Sequence, residues 1–306
     1  MTVGVPPPRS DGDVVAFWEG LGLPGLIDLH VHFMPQRLFD AVWRYFDSAG
    51  PLTGREWPIH YRWPQQQRLD HLRSMGVRAF PSLLYAHKPE MAASLNDWAT
   101  AFAREHPDVV PTLTVFPEPT VATYVDKVLR DGARIAKLHV QVGGFDPREP
   151  VLDDVWAMLS DAQVPVVAHV GSGPAPGAFT GPGPFGAVLA RHPRLTTVIA
   201  HMGMPEYGDF LHFAERYDNV YVDTTMCFVD SFGPQEELGR ELAPRLGALQ
   251  EKVLFGADFP NIPHAYAHQL EVLVRLGLGD DWLRDVVWRN PRRLLRRSGY
   301  DVIAQG

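Results

Sequence analysis

The stretch GLIDLHVHFMP, Gly25 to Pro35, decides how the chain is read. Ile27, Leu29, Val31 and Phe33 alternate in it with Asp28, His30 and His32. Successive side chains of an extended chain point to opposite faces, so one face is apolar and the other carries a carboxylate and two imidazoles. A strand of a parallel sheet that is covered on both sides reads apolar throughout. The polar stripe therefore calls for solvent or for chemistry.

Outward from this stretch, short Val/Ile/Leu runs recur: Leu26 to Val31, Val77 to Leu84, Val109 to Phe116, Arg134 to Val140, Val164 to Val170, Thr196 to His201, Val220 to Asp223 and Val253 to Ala257. Helically spaced segments separate them, such as RLDHLRSMG before the second run and DDVWAMLSDAQ before the fifth. Strands alternating with helices demand a parallel sheet, and eight such runs are the number that closes a barrel. The expected fold is α/β, a distorted (β/α)8 TIM-type barrel. One domain spans 1–306, with an N-terminal arm over 1–24 and a C-terminal helical tail over 264–306. The long connection DSAGPLTGREWPIHYRWP, residues 47–64, belongs above the C-terminal rim, where such barrels build their sites.

The chain has 306 residues, 45% hydrophobic and 21% charged, enough apolar material for a large core. A formal net charge of −8 argues against nucleic acid or anionic membrane as a partner, and the basic cluster Arg292, Arg293, Arg296 and Arg297 reads as a solvated helix face. The lone Cys227 excludes an internal disulfide and fits a reducing compartment. MTVGVPPPRS lacks the features of a secretory signal, and no run has the roughly 18–20 apolar residues of a membrane span. The expectation is a cytoplasmic protein acting on a small molecule, with homodimerisation left open. The Gly/Pro-rich run Gly171 to Gly186 lacks the spacing of a phosphate cradle and reads as a rim loop or lid.

Three other runs end like the first. VPVVAHVG carries His169, TVIAHMG carries His201 and VLFGADFP carries Asp258, each just before a glycine or proline breaker. In a barrel the strand ends form one ring, so these residues converge with His30 and His32. Burying imidazoles and a carboxylate without partners costs several kcal/mol, and a divalent cation removes that cost. The donors are nitrogen and oxygen without thiolate, which favours one zinc ion, with manganese or iron as alternatives.

With these motifs in place, the chain resembles the amidohydrolase superfamily, and within it the amidohydrolase-related family that includes aminocarboxymuconate semialdehyde decarboxylase. IDLHVHFMP is similar to the family's first-strand DxHxH motif, AHVG and AHMG to its later strand-end histidines, GADFP to its last-strand aspartate, and VVWRNPRRLL to its closing helix. The resemblance implies His30, His32, His169 and Asp258 as metal ligands. It also implies His201 as the acid or base that hydrogen-bonds the activated water, a role Asp258 can share. Asp28 is expected to support the site by orienting an imidazole through its other nitrogen. Some superfamily members modify a strand-four lysine to bridge two metals, but one ion is expected here. Lys137 and His139, on one face of ARIAKLHVQVGGFD, then become an interior supporting group and a substrate contact. Arg62, Trp63, Tyr85, His87 and Asp223 are further rim candidates, each weaker than the strand-end groups, with Arg62, Trp63 and Tyr85 taken as substrate contacts; Arg62 offers a fork for a carboxylate.

Two reactions fit. The leading one is hydrolysis of an amide, ester or lactone by a metal-activated water. The alternative is nonoxidative decarboxylation of a small unsaturated or aromatic carboxylic acid. A non-catalytic metal-binding scaffold is the third reading, disfavoured because all five strand-end groups are retained.

Overall fold

The computed structural model describes residues 4–48, 50, 56–232 and 235–305. Among them are the strands β1 Leu26–Ile27, β2 Val77–Pro81, β3 Val109–Val110, β4 Thr112–Thr114, β5 Ile135–His139, β6 Val166–His169, β7 Thr197–Ile199, β8 Val220–Asp223 and β9 Val253–Leu254. Every paired neighbour is parallel, in a sheet ordered β1-β2-β3 and a second ordered β4 through β9. The fold is a (β/α)8 TIM-type barrel.

The third expected run is two strands because Pro111 divides it. Proline has no N–H to give a ladder. Its carbonyl still accepts from Arg134 N at 2.8 Å, which keeps β5 alongside. No continuous ladder joins β1 to β9. Their extensions meet through an isolated Val31–Phe259 bridge and through backbone bonds from Leu29 N to Phe255 O (3.0 Å), His32 N to Phe259 O (2.7 Å) and Asp258 N to His30 O (2.8 Å).

Apart from Arg78 in β2, which is exposed, and His139 and His169 at the ends of β5 and β6, which are partly buried, the strand residues are buried on both faces. Helices form wherever the apolar spacing turns to three and four. In Val121–Arg130 the buried positions are Val121, Tyr124, Val125 and Val128, a single stripe laid on the sheet. The strands are shorter than the aliphatic runs because their C-terminal residues leave the ladder for turns. After β7 the chain makes a tight turn over Ala200–Gly203, with His201 and Met202 at φ 55° and 48°.

The N-terminal arm and the C-terminal tail lie against the barrel. Trp18 Nε1 donates to Met75 O at 3.0 Å, while Asp11 accepts from His71 Nε2 at 2.8 Å and from Ala267 N at 2.9 Å. In the tail, Asn290 Nδ2 donates to Gln250 O (2.7 Å) and Val253 O (2.9 Å), fastening the closing helix Asn290–Arg297 to the last strand. No helix among the described residues is long and apolar enough to cross a membrane. Residues 1–3 of the arm, Gly306 of the tail, and residues 49 and 51–55 of the long first connection lie outside the described residues.

Candidate metal centre

The first strand leads directly into the site. Beyond Ile27 the chain stays extended, and the His30 and His32 rings emerge between β2 and the end of β9. His30 Nδ1 lies 2.8 Å from Asp223 Oδ2 at the end of β8. A carboxylate oxygen accepts here, so Nδ1 carries the proton and Nε2 is left as a lone pair. His32 Nδ1 lies 2.5 Å from Leu83 O, a carbonyl that can only accept, and the same reasoning frees its Nε2. Two tautomers, one anchored on a carboxylate and one on a backbone carbonyl, thus present lone pairs at one place.

Asp258 completes the cluster. One ligand atom from each of His30, His32 and Asp258 falls within 4.8 Å of the others. Asp258 Oδ1 stands 2.8 Å from His32 Nε2 and 3.6 Å from His30 Nε2. Two donors bound to one zinc-sized ion at about 2.1 Å in tetrahedral geometry stand roughly 3.4 Å apart, so the His30 pair already has the spacing of two ligands, while the His32 pair is at hydrogen-bond distance and would open by about half an ångström around a shared cation. A neutral His32 would otherwise oppose its lone pair to a carboxylate oxygen. Burial drives His30 well below the usual imidazole range, which keeps it neutral. Burial pushes the Asp258 carboxyl upward, but without a cation a proton on His32 Nε2 bridges the two, and this hydrogen bond and charge, with His30 and His201 nearby, outweigh that push and hold Asp258 ionised; a bound cation would take that proton's place. Neutral imidazoles beside an ionised carboxylate are the protonation states that metal binding requires.

His201 sits beside this cluster, its ring centroid 4.9 Å from that of His30 and 4.6 Å from that of His169. Its Nδ1 is 3.1 Å from Thr225 O, so Nδ1 is the donor and Nε2 is the basic nitrogen. Burial lowers its pKa below 6.5, against the opposing pull of Asp258 and Asp223. Both His201 and Asp258 hold left-handed backbone, at φ 55° and 67°, a strained state for side-chain-bearing residues that concentrates at functional sites. Asp223 Oδ1 accepts the His201 N–H at 2.8 Å and thereby pins that turn.

Not every expected residue joins them. His169 stands outside the His30, His32 and Asp258 cluster: its Nε2 donates to Gly173 O at 3.0 Å, and its ring stacks on His139 with centroids 4.0 Å apart. Asp28 does not orient an imidazole side chain. Its buried carboxyl accepts from His30 N (3.0 Å), Ala257 N (3.1 Å) and Tyr266 Oη (2.9 Å), so it ties the first and last strands through their backbones, and burial raises its pKa to about 8. The imidazole partner is Asp223, rated weaker from sequence; its signal was a carboxylate closing an aliphatic run in VYVD. The Leu83 and Thr225 carbonyls leave no trace in residue identity.

Lys137 is buried, with Nζ donating to His30 Nε2 at 3.1 Å, and burial lowers its pKa to about 8 against the opposing charges of Asp223 and Asp258. A cavity of about 570 Å³ opens above the cluster, and Tyr85, His87 and His139 line it. Arg62 and Trp63 do not line it. Arg62 Nη2 is paired with Asp47 Oδ1 at 2.5 Å, and Trp63 packs edge-on against Tyr61 and His71. The last turn of the Gln36–Ser48 helix supplies the carboxylate that pairs with the fork expected to bind substrate.

A parallel barrel with two histidines and an aspartate converging at its strand ends defines the class. The amidohydrolase family model matches residues 27–297, and the chain belongs to that family. No curated protein matches it. Its fold is similar to that of an uncharacterised TIM-barrel protein from Bordetella bronchiseptica, at 20% identity over 90% of this chain and 100% of that one, TM-score 0.71. It is also similar to a "probable 2-pyrone-4,6-dicarboxylic acid hydrolase" from Acinetobacter baumannii, at 14% identity over 89% and 99% of the two chains, TM-score 0.60. A dihydroorotase from Campylobacter jejuni aligns at 15% identity over 89% and 83%, TM-score 0.53.

Proposed function

We propose that the protein is a metal-dependent hydrolase of a small ester, lactone or amide. The observation that carries this reading is the convergence of three lone pairs, His30 Nε2, His32 Nε2 and Asp258 Oδ1, beside a basic His201 Nε2. His30, His32 and Asp258 hold one divalent cation, with zinc the natural occupant of nitrogen and oxygen donors. His169 is the proposed fourth ligand through Nδ1, the nitrogen that its Gly173 contact leaves available. When bound, the cation supplies Lewis acidity, polarising a carbonyl and acidifying water.

The remaining work falls to the chain's own residues. His201, anchored on Thr225 O, takes the proton of the attacking water at Nε2 and returns it to the leaving group. Asp223 fixes the His30 ring and the His201 backbone together, so ligand and base move as one unit. Tyr85 and His139, on the cavity wall, orient the substrate. Membership of the amidohydrolase family supports hydrolysis, as do the hydrolase and dihydroorotase names of the fold neighbours. The test is to incubate zinc-loaded protein with a panel of small esters, lactones, amides and unsaturated carboxylic acids, recording acid and CO2 together. Acid release without CO2 is expected; CO2 from the carboxylic acids alone would overturn the reading in favour of decarboxylation.

A further inference from the structure

The Gln36–Ser48 helix carries two apolar faces where one is enough for packing. Phe39 and Trp43 are buried, and the Arg68 guanidinium lies 4.1 Å and 5.4 Å from their ring centroids. Leu38, Val42 and Tyr45, spaced by four and three, line the cavity instead. Trp57 and Met226 also line it. Tyr45 and Val142 are 47% and 42% exposed, two of the three large hydrophobics left exposed among the described residues, and both belong to this cavity. Apolar side chains kept in water around a concave site mark a place where a ligand removes that water.

The charge of the cavity is equally specific. Among the described lining residues there is no arginine, and the lone lysine, Lys137, lies at the base against His30. Arg62, the cation expected at the rim from the sequence, is paired with Asp47 and does not line the cavity. A carboxylate on a part of the substrate remote from the reacting bond would therefore meet mainly apolar side chains and a few uncharged amide and hydroxyl groups such as Gln141 and Tyr85, with no arginine or second lysine to pair it. About 570 Å³ falls within the range of pockets that enclose drug-sized molecules, so the site has room for more than a reacting carbonyl.

We infer that the substrate carries an uncharged, apolar group remote from the scissile bond, of the size of a phenyl ring or a short alkyl chain, and that the cavity discriminates against a carboxylate there. This rests on the hydrolytic reading and deepens it by naming the substrate class. The matched test pair is phenyl hexanoate and monophenyl adipate, acyl chains of equal length that end in a methyl and a carboxylate, with phenyl acetate as the short reference. With zinc-loaded protein, kcat/KM for phenyl hexanoate is expected to exceed that for each of the other two by about tenfold or more, the scale on which pockets read methylenes. Val142→Arg, a change at a half-exposed position of the wall, should shift the hexanoate-to-adipate ratio toward the adipate by about tenfold.

Binding separates this inference from the reading beneath it. Calorimetric titration with hexananilide and with adipic acid monoanilide reports the apolar subsite without turnover, and the uncharged anilide should bind at least tenfold tighter. If neither ester is cleaved and that preference holds, hydrolysis fails and the subsite stands. A preference for monophenyl adipate, or equal binding of the two anilides, overturns the subsite whatever the turnover.

Discussion

At the scale of single residues, the site is a set of tautomers fixed from outside. Carbonyls of Leu83 and Thr225 and the carboxylate of Asp223 each take one imidazole proton, and each choice leaves the opposite nitrogen basic. His201→Ala should therefore keep its metal while losing roughly 10²- to 10⁴-fold in turnover, the usual worth of a positioned acid or base, with metal content measured beside kcat. The pH profile follows from the same nitrogen. His201 must be neutral to accept a proton, and burial lowers its pKa from 6.5, so its base form persists through neutrality and kcat/KM should fall only as pH drops below about 6.5. An acid limb centred above 7 would contradict that. Asp223→Asn removes the charge behind His30 Nδ1 and should weaken metal binding by about 10- to 100-fold, read by competition with a chelator. Unchanged affinity would mean that the His30 ring is held by something else.

At the scale of elements, what positions the site is the close approach of strand ends. Gly256 follows β9 where a Cβ would lie 2.2 Å from Thr225 Oγ1 and 2.7 Å from His30 Cβ. Gly256→Ala should press the first and last strands apart, costing about 1–3 kcal/mol of stability, the range for overpacked positions, and weakening metal retention with it. Denaturant unfolding beside zinc content checks both; stability loss with full metal retention would dissociate the strand contact from the site. Much at this scale was legible in the sequence. Eight aliphatic runs gave the barrel, and polar residues before glycine or proline marked the strand ends that carry His201 and Asp258. Pro111 was in view, yet its division of the third run was not read, because composition alone does not say which residue of a run must donate to the ladder. The expectation that Asp28 orients an imidazole fails for a related reason. Asp28 shares a strand with His30, but its carboxyl turned to backbone N–H groups, while Asp223 arrives from a strand 193 residues away in sequence. Arg62 looked available because sequence does not show that Asp47 lies beside it.

At the scale of the whole molecule, the proposed ligands come from opposite ends of the barrel sequence: His30 and His32 follow β1 and Asp258 follows β9. A cation bound by both ends crosslinks the first and last strands just where the ladder between them is incomplete. Binding free energy is then folding free energy, because the unfolded chain offers no assembled site. Zinc at about 1,000 times its dissociation constant adds roughly 4 kcal/mol, and for a chain of this size that corresponds to a rise in Tm of about 5–10 °C. The measurement that tests the central claim most directly is this thermal shift, taken by calorimetry with zinc and with chelator on the native protein, His30→Ala and His201→Ala. The account predicts that the native protein and His201→Ala gain equally from zinc while His30→Ala gains nothing. No shift in the native protein, or a shift lost as fully in His201→Ala as in His30→Ala, would contradict it.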